Sequence, residues 1–199
     1  EGYVYIGSRS DTPQSQSENN SMAHIAGSKY PLVGVAKDQE YFTEDPVVIA
    51  MSHASSLLEV VVTNNTEEDL LVENISFTAP ENIVGTFYVN FAGKSLKFTD
   101  ADFVSKTANL EVTGAEALAK GASAKYYLAI KPFTADAGER LVLSVNGYSK
   151  EIDLNAAKTF TAGKIKTLNF AYDKAPLPEG FAVATLTFDS DKANRTEFS

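Results

Sequence analysis

The chain has 199 residues, no cysteine and a net charge of −9, and these values limit its domain count, its cysteine chemistry and its possible partners. The length fits one large domain, or one domain and part of another, and it allows a core to form without covalent cross-links. The lack of cysteine excludes disulfides, thiolate zinc sites and cysteine nucleophiles. The acidic charge argues against nucleic acid, because phosphate binding needs a basic patch and the 17 Lys and Arg residues are scattered. No stretch approaches the roughly 18 to 20 apolar residues of a membrane-spanning helix.

The first fifty residues predict three short strands and one loop. Residues 2–6 alternate between tyrosine and a branched aliphatic residue and predict a strand. Because Glu1 leads directly into this strand, we expect the chain to be a trimmed or mature form. Residues 8–21 are rich in Ser, Asn and Gln and predict a mobile loop, since such a run cannot bury enough apolar surface to order itself. Residues 30–36 and 46–51 predict two more strands, each with a proline near its start.

The strongest strand signal in the chain is the apolar run from Leu57 to Val62, which only Glu59 interrupts. It is too short for a helix and apolar on both faces, so it predicts a central strand buried on both sides. The polar residues 64–69 predict a reversal, after which residues 70–78 alternate again. We therefore predict a β-hairpin with a six-residue loop, around which the other strands pack.

The middle of the chain predicts a second hairpin and a single helix. Residues 83–91 form a long apolar and aromatic run in which Gly85 marks a bulge or a close contact. A turn at residues 92–94 leads into a strand at 95–98. Residues 113–121 carry the helical signal, with Thr113 as N-cap, several alanines, and a glycine past the end.

The last third predicts four strands and the most specific turn, since residues 140–145 and 148–154 flank Asn146-Gly147. Residues 124–131 form an aromatic strand that Pro132 ends. Asn146-Gly147 is the strongest hairpin signal, because a two-residue type I′ turn needs a positive φ at both residues. The register that follows places Leu141 opposite Ile152, and Arg140 opposite Asp153 as a favourable charge pair. Residues 164–172 close the series of strands.

About ten strands, one short helix and no alternation of strands with helices predict an all-β protein, an antiparallel β-sandwich over residues 1–172. Residues 173–180 contain two prolines and a glycine and predict a linker. Residues 181–199 then form an extra strand or the start of a second domain. Its apolar residues are the candidates for pairing with another sheet edge, namely Phe181, Val183, Leu186 and Phe188.

No catalytic constellation stands out, and we predict a protein without enzymatic activity or cofactor. His24 lies in the polar loop and is expected to be solvated. His53 precedes the buried strand and is expected to be structural, its ring bonded to a backbone carbonyl. Ser52 and Ser55 lie near it in sequence, but that does not give the geometry of a catalytic triad.

The acidic clusters do not predict a metal site either. Asp100 and Asp102 could supply two oxygen ligands to calcium, but the glycine and glutamate of a full calcium loop do not follow them. A solvated turn is favoured. Residues 67–69 are predicted to form the charged tip of the first hairpin.

Three segments together resemble a known family. Residues 53–65 (HASSLLEVVVTNN), 126–132 (YYLAIKP) and 160–164 (FTAGK) are similar, in order and in approximate spacing, to segments of the fimbrillin-like proteins of Bacteroides-type bacteria. The resemblance covers about residues 51–172.

The resemblance implies a transthyretin-like β-sandwich, export as a lipoprotein to the cell surface and outer membrane, and a role as pilus (fimbria) subunit, tip or anchor in adhesion. Its implied partners are other pilus subunits or surface ligands, with subunits joined when the strand of one chain completes the groove of another. Two features depart from the family pattern. The lipidated cysteine and early strands expected upstream are missing, and so is a second sandwich domain, unless residues 181–199 begin it.

Three functional hypotheses follow. The first is a structural or adhesive subunit of a surface appendage. The second is a carbohydrate-binding module, for which β-sandwiches are common hosts and exposed aromatic residues are needed; the chain has nine Tyr and no Trp. The third is a small hydrolase, which no motif supports. The fold alone does not decide among them.

Overall fold

The computed structural model describes residues 2–8, 12–26, 29–34, 49, 51–92 and 95–174. This part of the chain forms fifteen strands and one turn of 3₁₀ helix at Ala23–Ile25, which confirms the all-β prediction. None of its helices is long and apolar enough to cross a membrane. The strands are β1 (Gly2–Ile6), β2 (Gln14–Gln16), β3 (Leu32–Gly34), β4 (Met51–His53), β5 (Ser56–Asn64), β6 (Asn74–Thr78), β7 (Gly85–Ala92), β8 (Ser95–Asp100), β9 (Thr107–Val112), β10 (Ser123–Ile130), β11 (Phe133–Ala135), β12 (Arg140–Val145), β13 (Tyr148–Asp153), β14 (Lys158–Phe160) and β15 (Ile165–Tyr172).

Two sheets enclose the main core and form a β-sandwich. One has five strands in the order β13–β12–β6–β9–β2, and the other has three in the order β10–β5–β15. Alternate residues of both sheets point between them, among them Phe77 and Leu143 from the first and Leu58, Val60 and Leu128 from the second. A third sheet, β1–β7–β8, covers a smaller core of its own, and β3–β4 and β11–β14 are two-stranded.

Most strand pairs are antiparallel, as predicted, but two are parallel. β15 runs parallel to β5, and β2 runs parallel to β9. Each parallel pair joins segments that lie far apart in the sequence, because parallel neighbours need a long connection between them. Turn signals, which report only local reversals, could not reveal these pairs.

The Asn146-Gly147 hairpin is confirmed in every detail of its register. Leu141 lies opposite Ile152, and Arg140 lies opposite Asp153. The φ angles of Asn146 and Gly147 are 48° and 76°, positive at both positions as a type I′ turn requires. The Asn146 side chain also accepts hydrogen bonds from the backbone N–H groups of residues 73 and 74, so the turn is tied to the neighbouring strand β6.

β5 is central as predicted, but the hairpin predicted from it is wrong. β5 lies between β10 and β15, whereas β6 lies in the opposite sheet between β12 and β9. The intervening chain crosses the end of the sandwich, with Leu70 and Val72 buried along the way. The buried side chain of Asn64 directs this crossing, since its Nδ2 donates to the carbonyls of Glu68 and Leu118, both at 2.7 Å. Alternation shows that a segment is a strand, but not which sheet it joins.

The mobile loop predicted at residues 8–21 is also wrong. It contains β2, in which Gln14 and Gln16 are completely buried. Residues 9–11 lie outside the described part of the chain. Composition failed here because the segment is ordered by its own side-chain amides rather than by apolar burial.

The helix predicted at residues 113–121 does not form. Leu118 pairs instead with Leu70 through two backbone hydrogen bonds of 2.9 and 2.8 Å. A helix of two turns is marginal without tertiary support, so this pairing and the burial of Leu118 prevail. Gly114 is required for packing, because a Cβ there would lie 2.0 Å from the carbonyl oxygen of Ser17.

The remaining strand predictions hold where they can be compared. β1, β7, β8, β10 and β15 lie where the sequence placed them. Gly85 is a close contact: its φ is 120°, and a Cβ there would lie 2.5 Å from the carbonyl oxygen of Phe103. Of the strands predicted at 30–36 and 46–51, the structure describes β3 and the first residue of β4, Met51. Residues 30, 31 and 49 are described but belong to no strand, and residues 35–36, 46–48 and 50 lie outside the described part. So do residues 175–199, and the domain boundaries near residues 172 and 180 therefore stay predictions.

Candidate functional site

The three segments that resemble fimbrillin-like proteins form or lead into one sheet, β10–β5–β15, which we call the motif sheet. Residues 53–65 contain β5, residues 126–132 contain most of β10, and residues 160–164 lead directly into β15. The first and third segments are also joined directly, next to the starts of β5 and β15. The N–H of Gly163 donates to the carbonyl of Ser55 at 2.9 Å, and the N–H of Leu57 donates to that of Lys164 at 3.0 Å.

Glu59, the one charged residue in the apolar run, ties the three strands of the motif sheet together. It lies directly opposite Tyr127 on β10 and Thr167 on β15. Its carboxylate accepts hydrogen bonds from the Tyr127 and Thr167 hydroxyls at 3.1 and 3.0 Å, and from Lys125 Nζ at 3.1 Å. Burial alone would raise the pKa of Glu59, but these three donors outweigh it and lower the pKa. The carboxylate is therefore structural and fully engaged.

The β10 edge of the motif sheet is closed by side chains rather than by a strand. Gln14 bonds to both the N–H and the carbonyl of Ala129, at 2.9 and 3.0 Å. Gln16 accepts from the N–H of Tyr127 at 3.0 Å and donates to the carbonyl of Lys125 at 3.2 Å. The amide side chains thus imitate the hydrogen bonds of a missing neighbour strand, while the β2 backbone pairs with β9 in the other sheet.

Asn20 and His24 complete this edge. The Asn20 side chain accepts from the N–H of Lys125 at 2.9 Å, and Nε2 of His24 lies 2.9 Å from the carbonyl oxygen of Tyr127. Every outward N–H and carbonyl of Lys125, Tyr127 and Ala129 is therefore bonded. We name residues 14–24 the amide strap. Sequence reasoning missed it, although Gln at alternate positions was the available signal.

His24 is half-buried, so the prediction of a solvated side chain is wrong. A bond to a carbonyl requires the proton on Nε2, which leaves Nδ1 as an acceptor, and Nδ1 is buried without a partner. Burial is the largest influence on the ring and lowers its pKa, and nearby Lys29 acts in the same direction, while the bond to Tyr127 opposes them. The ring is therefore held neutral.

His53 is packed rather than poised for chemistry. Its ring lies against that of Tyr30, with centroids 4.1 Å apart, and a Cβ at Gly163 would lie 3.2 Å from its Cδ2. Nδ1 of His53 is buried without a hydrogen bond, so the expected bond to a backbone carbonyl is not made by that nitrogen. The hydroxyl of Ser55 is buried and unpartnered too, so Ser55 and His53 do not bond to each other.

The two aspartates considered as calcium ligands are placed differently. Asp100 ends β8 and accepts a hydrogen bond from the Asn82 side chain at 2.6 Å. Asp102 is exposed, and its backbone carbonyl accepts from the N–H of Thr86 at 2.9 Å. In the described residues no three His, Asp or Glu side chains lie close enough together to hold a metal ion.

The carbohydrate hypothesis needs exposed aromatic residues, and among the described residues Tyr3 and Phe103 are more than half exposed. Tyr3 of β1 lies opposite Tyr88 of β7, with ring centroids 4.6 Å apart, and Tyr3 is 67% exposed. The rings are tilted by 38° and their hydroxyls are 3.4 Å apart. They therefore do not form one flat platform. The strand-pairing candidates Phe181, Val183, Leu186 and Phe188 lie outside the described residues.

No protein-family model matches the chain, and no curated protein matches it either. Among solved structures it is similar to a "putative cell adhesion protein" from Bacteroides uniformis ATCC 8492, with 20% identity and a TM-score of 0.37 over 63% of this chain and 49% of that one. It is also similar to a "putative cell adhesion protein" from Bacteroides fragilis NCTC 9343, with 14% identity and a TM-score of 0.33 over 72% and 49%. The chain spans about half the length of each.

Proposed function

We propose that this chain is a non-catalytic structural or adhesive protein of the bacterial cell surface, acting as a subunit, tip or anchor component of a pilus. The observation that carries the proposal is the assembly of the motif sheet. Each of the three segments is weak evidence alone, because strand patterns and turns are common. Their union in one hydrogen-bonded sheet, with β5 at its centre, supports a shared origin with the fimbrillin-like proteins.

The chemistry of the site supports a structural role. Glu59 is engaged by three donors, and the backbone of the β10 edge is fully bonded. Among the described residues neither histidine bonds to a serine or a carboxylate, and Nδ1 of each is buried without a partner. These arrangements stabilise a sheet, and they offer no activated nucleophile. We expect the purified chain to hydrolyse no ester, peptide or glycoside substrate. An activity abolished by His53→Asn at unchanged melting temperature would contradict this.

Location tests the proposal most directly. The full-length gene, carrying an epitope tag in an exposed loop, is expressed in a Bacteroides-type bacterium, and sheared surface material is separated from cell bodies by centrifugation. We expect the tagged chain in the sheared fraction, in species larger than a monomer, and accessible to antibody on whole cells. Recovery only from periplasm or cytosol would contradict a surface role. A tagged periplasmic protein serves as the leakage control.

Assembly is tested by deleting residues 176–199. We propose that these residues begin a second domain, add to their own sandwich or donate a strand to a neighbouring subunit. Donation predicts a folded monomer that no longer forms oligomers. Self-addition predicts a less stable monomer, and a separate domain predicts no change in either property. Size-exclusion chromatography with a thermal melt distinguishes these outcomes, and unchanged oligomers would exclude donation.

A further inference from the structure

A trench of about 370 Å³ lies on the solvent face of the five-stranded sheet, away from the motif sheet. We call it the serine trench. Its lining includes Pro13, Asn74, Ser76, Asn109, Ser144 and Gly147.

Strand register creates the trench. Ser144 of β12 lies opposite Ser76 of β6, and Ser76 lies opposite Asn109 of β9. Their neighbours along each strand, such as Phe77 and Leu143, point the other way into the main core. Three adjacent strands therefore present short polar side chains at the same level, and a depression remains where longer side chains would have covered the sheet.

The polar groups of the trench have no partners in the described protein. Ser144 is only 9% exposed, yet its hydroxyl makes no hydrogen bond there. The side chains of Asn74, Ser76 and Asn109 make none either. Unlike the buried Oγ of Ser55, the Oγ of Ser144 is not sealed from solvent; Ser144 lines the trench, so its hydroxyl can bond to a molecule that enters there.

Other facing hydroxyls in the protein behave differently. Thr78 and Thr107 form the facing pair two residues further along β6 and β9, and their hydroxyls bond to each other at 2.8 Å. Thr63 and Ser123 bond at 2.8 Å, and Thr134 bonds Thr159 at 3.0 Å. The serine trench is thus a place where the fold leaves its hydroxyls and amides available to an outside molecule.

We propose that the serine trench binds a neutral carbohydrate. Hydroxyl and amide side chains can each donate and accept, which matches the vicinal hydroxyls of a sugar, and Pro13 offers an apolar edge for its C–H faces. This proposal does not depend on the pilus role. It assigns a ligand site to a different sheet.

The chemistry of the lining disfavours other ligands. No Lys or Arg lines the trench, and Glu111 lies opposite Asn74, so an anionic ligand would meet repulsion on a chain whose net charge is −9. A peptide that binds as an added strand needs free backbone groups. Here β6 is already paired on both sides, with β12 and with β9.

The test is an NMR titration of the ¹⁵N-labelled 199-residue chain. The probes are methyl α-mannoside, lactose, N-acetylglucosamine and cellobiose, each raised to tens of millimolar, with sialyllactose and the peptide Ser-Gly-Ser-Asn for comparison. We expect at least one neutral sugar to shift the amide signals of Asn74, Ser76, Asn109 and Ser144. No shift with any of the four neutral sugars, shifts centred on Tyr3 and Tyr88, or tighter binding of sialyllactose or the peptide would each overturn the proposal.

Variants separate a binding role from a structural one. Ser144→Ala and Asn109→Arg should each weaken sugar binding several-fold or abolish it, the first by removing a hydroxyl and the second by filling the trench. Thr134→Ala is the matched control, because it removes a strand hydroxyl at β11, and it should leave affinity unchanged. Ser144→Ala should not lower the melting temperature, since its hydroxyl supports no bond in the fold. A lower melting temperature with unchanged sugar affinity would show that the hydroxyl serves folding and would overturn the proposal.

Discussion

The two edges of the motif sheet are completed in different ways. Along β10 every outward N–H and carbonyl of residues 125, 127 and 129 is bonded, mostly by the side chains of the amide strap. Along β15, β5 is the only strand partner among the described residues, and Ile165 is 51% exposed. An exposed edge is ordinarily a liability, since it invites another strand. The comparison teaches that glutamines can close an edge without extending the sheet.

The largest loss of stability should come from replacing the two glutamines of the amide strap. The double change Gln14→Ala, Gln16→Ala deletes five hydrogen bonds to backbone groups, three of them buried, and at roughly 1 kcal/mol each the free energy of unfolding should fall by about 3 to 5 kcal/mol. Urea melts measure this loss. Ser15→Ala, on the same strand but exposed, is the matched control and should cost under about 0.5 kcal/mol. Similar losses in both variants would mean that the strap does not stabilise the edge.

A smaller loss is expected at the strand that both edges share. Val60 is completely buried and lies between Tyr126 of β10 and Leu168 of β15. Val60→Ala should cost about 1 to 3 kcal/mol through lost burial and the cavity that remains. Asp69→Ala, at an exposed position, should change little in the same urea melts. If the two variants lost the same amount, β5 would not be the centre of the core.

Glu59 connects the two edges, and its contribution should depend on pH. Its pKa in the folded chain lies below the ordinary value of 4.5, so its stabilising effect is complete above that pH and is lost as pH falls through the lowered pKa. Glu59→Gln should therefore cost about 1 to 2 kcal/mol at neutral pH, and the difference from wild type should shrink in acid.

The control for Glu59 is Glu67→Gln, whose partner Lys120 is also exposed, and its cost should be close to zero at both pH values. Melts at neutral pH and at acid pH give the comparison. A cost at Glu59 that does not change with pH would show that its charge is not what holds the three strands.

The smallest effect belongs to His24, at the end of the strap. Burial lowers its pKa below the ordinary 6.5, so the folded chain favours the neutral ring. The stability that this provides is complete above pH 6.5 and declines as pH falls toward the lowered pKa, by under about 1 kcal/mol because the ring is half-buried. His24→Gln should flatten this slope between pH 7 and pH 5 in urea melts. A slope unchanged by the substitution would assign it to another group.

Local patterns predicted local structure well. The Asn146-Gly147 register was readable because turn chemistry, alternation and charge all pointed to one pairing. The position of β5 could be predicted because its apolar run is too short for a helix and fits only a buried strand. These signals act between residues close in sequence, where a few positions fix the geometry.

The sequence did not predict which strands pair with each other. The same alternation fits β6 whether it returns beside β5 or crosses to the opposite sheet, and the buried side chain of Asn64, which directs the crossing, resembles any other turn residue in sequence. The amide strap could not be predicted for a related reason. Gln14 and Gln16 appear polar and loop-forming, and only the backbone of β10, more than a hundred residues later, gives them their role. The serine trench likewise depends on the register of three strands.

The parallel pairing of β15 with β5 determines when the motif sheet can form during synthesis of the chain. Thr167 and Glu59 are 108 residues apart, so the sheet that unites the resembling segments cannot close until nearly the whole described chain has emerged from the ribosome. At about 5 to 20 residues per second, β5 waits roughly 5 to 20 s for its second neighbour. During that interval its apolar run is exposed to chaperones and to other nascent chains. Such a high contact order slows folding and lengthens the time for which this strand lacks a neighbour.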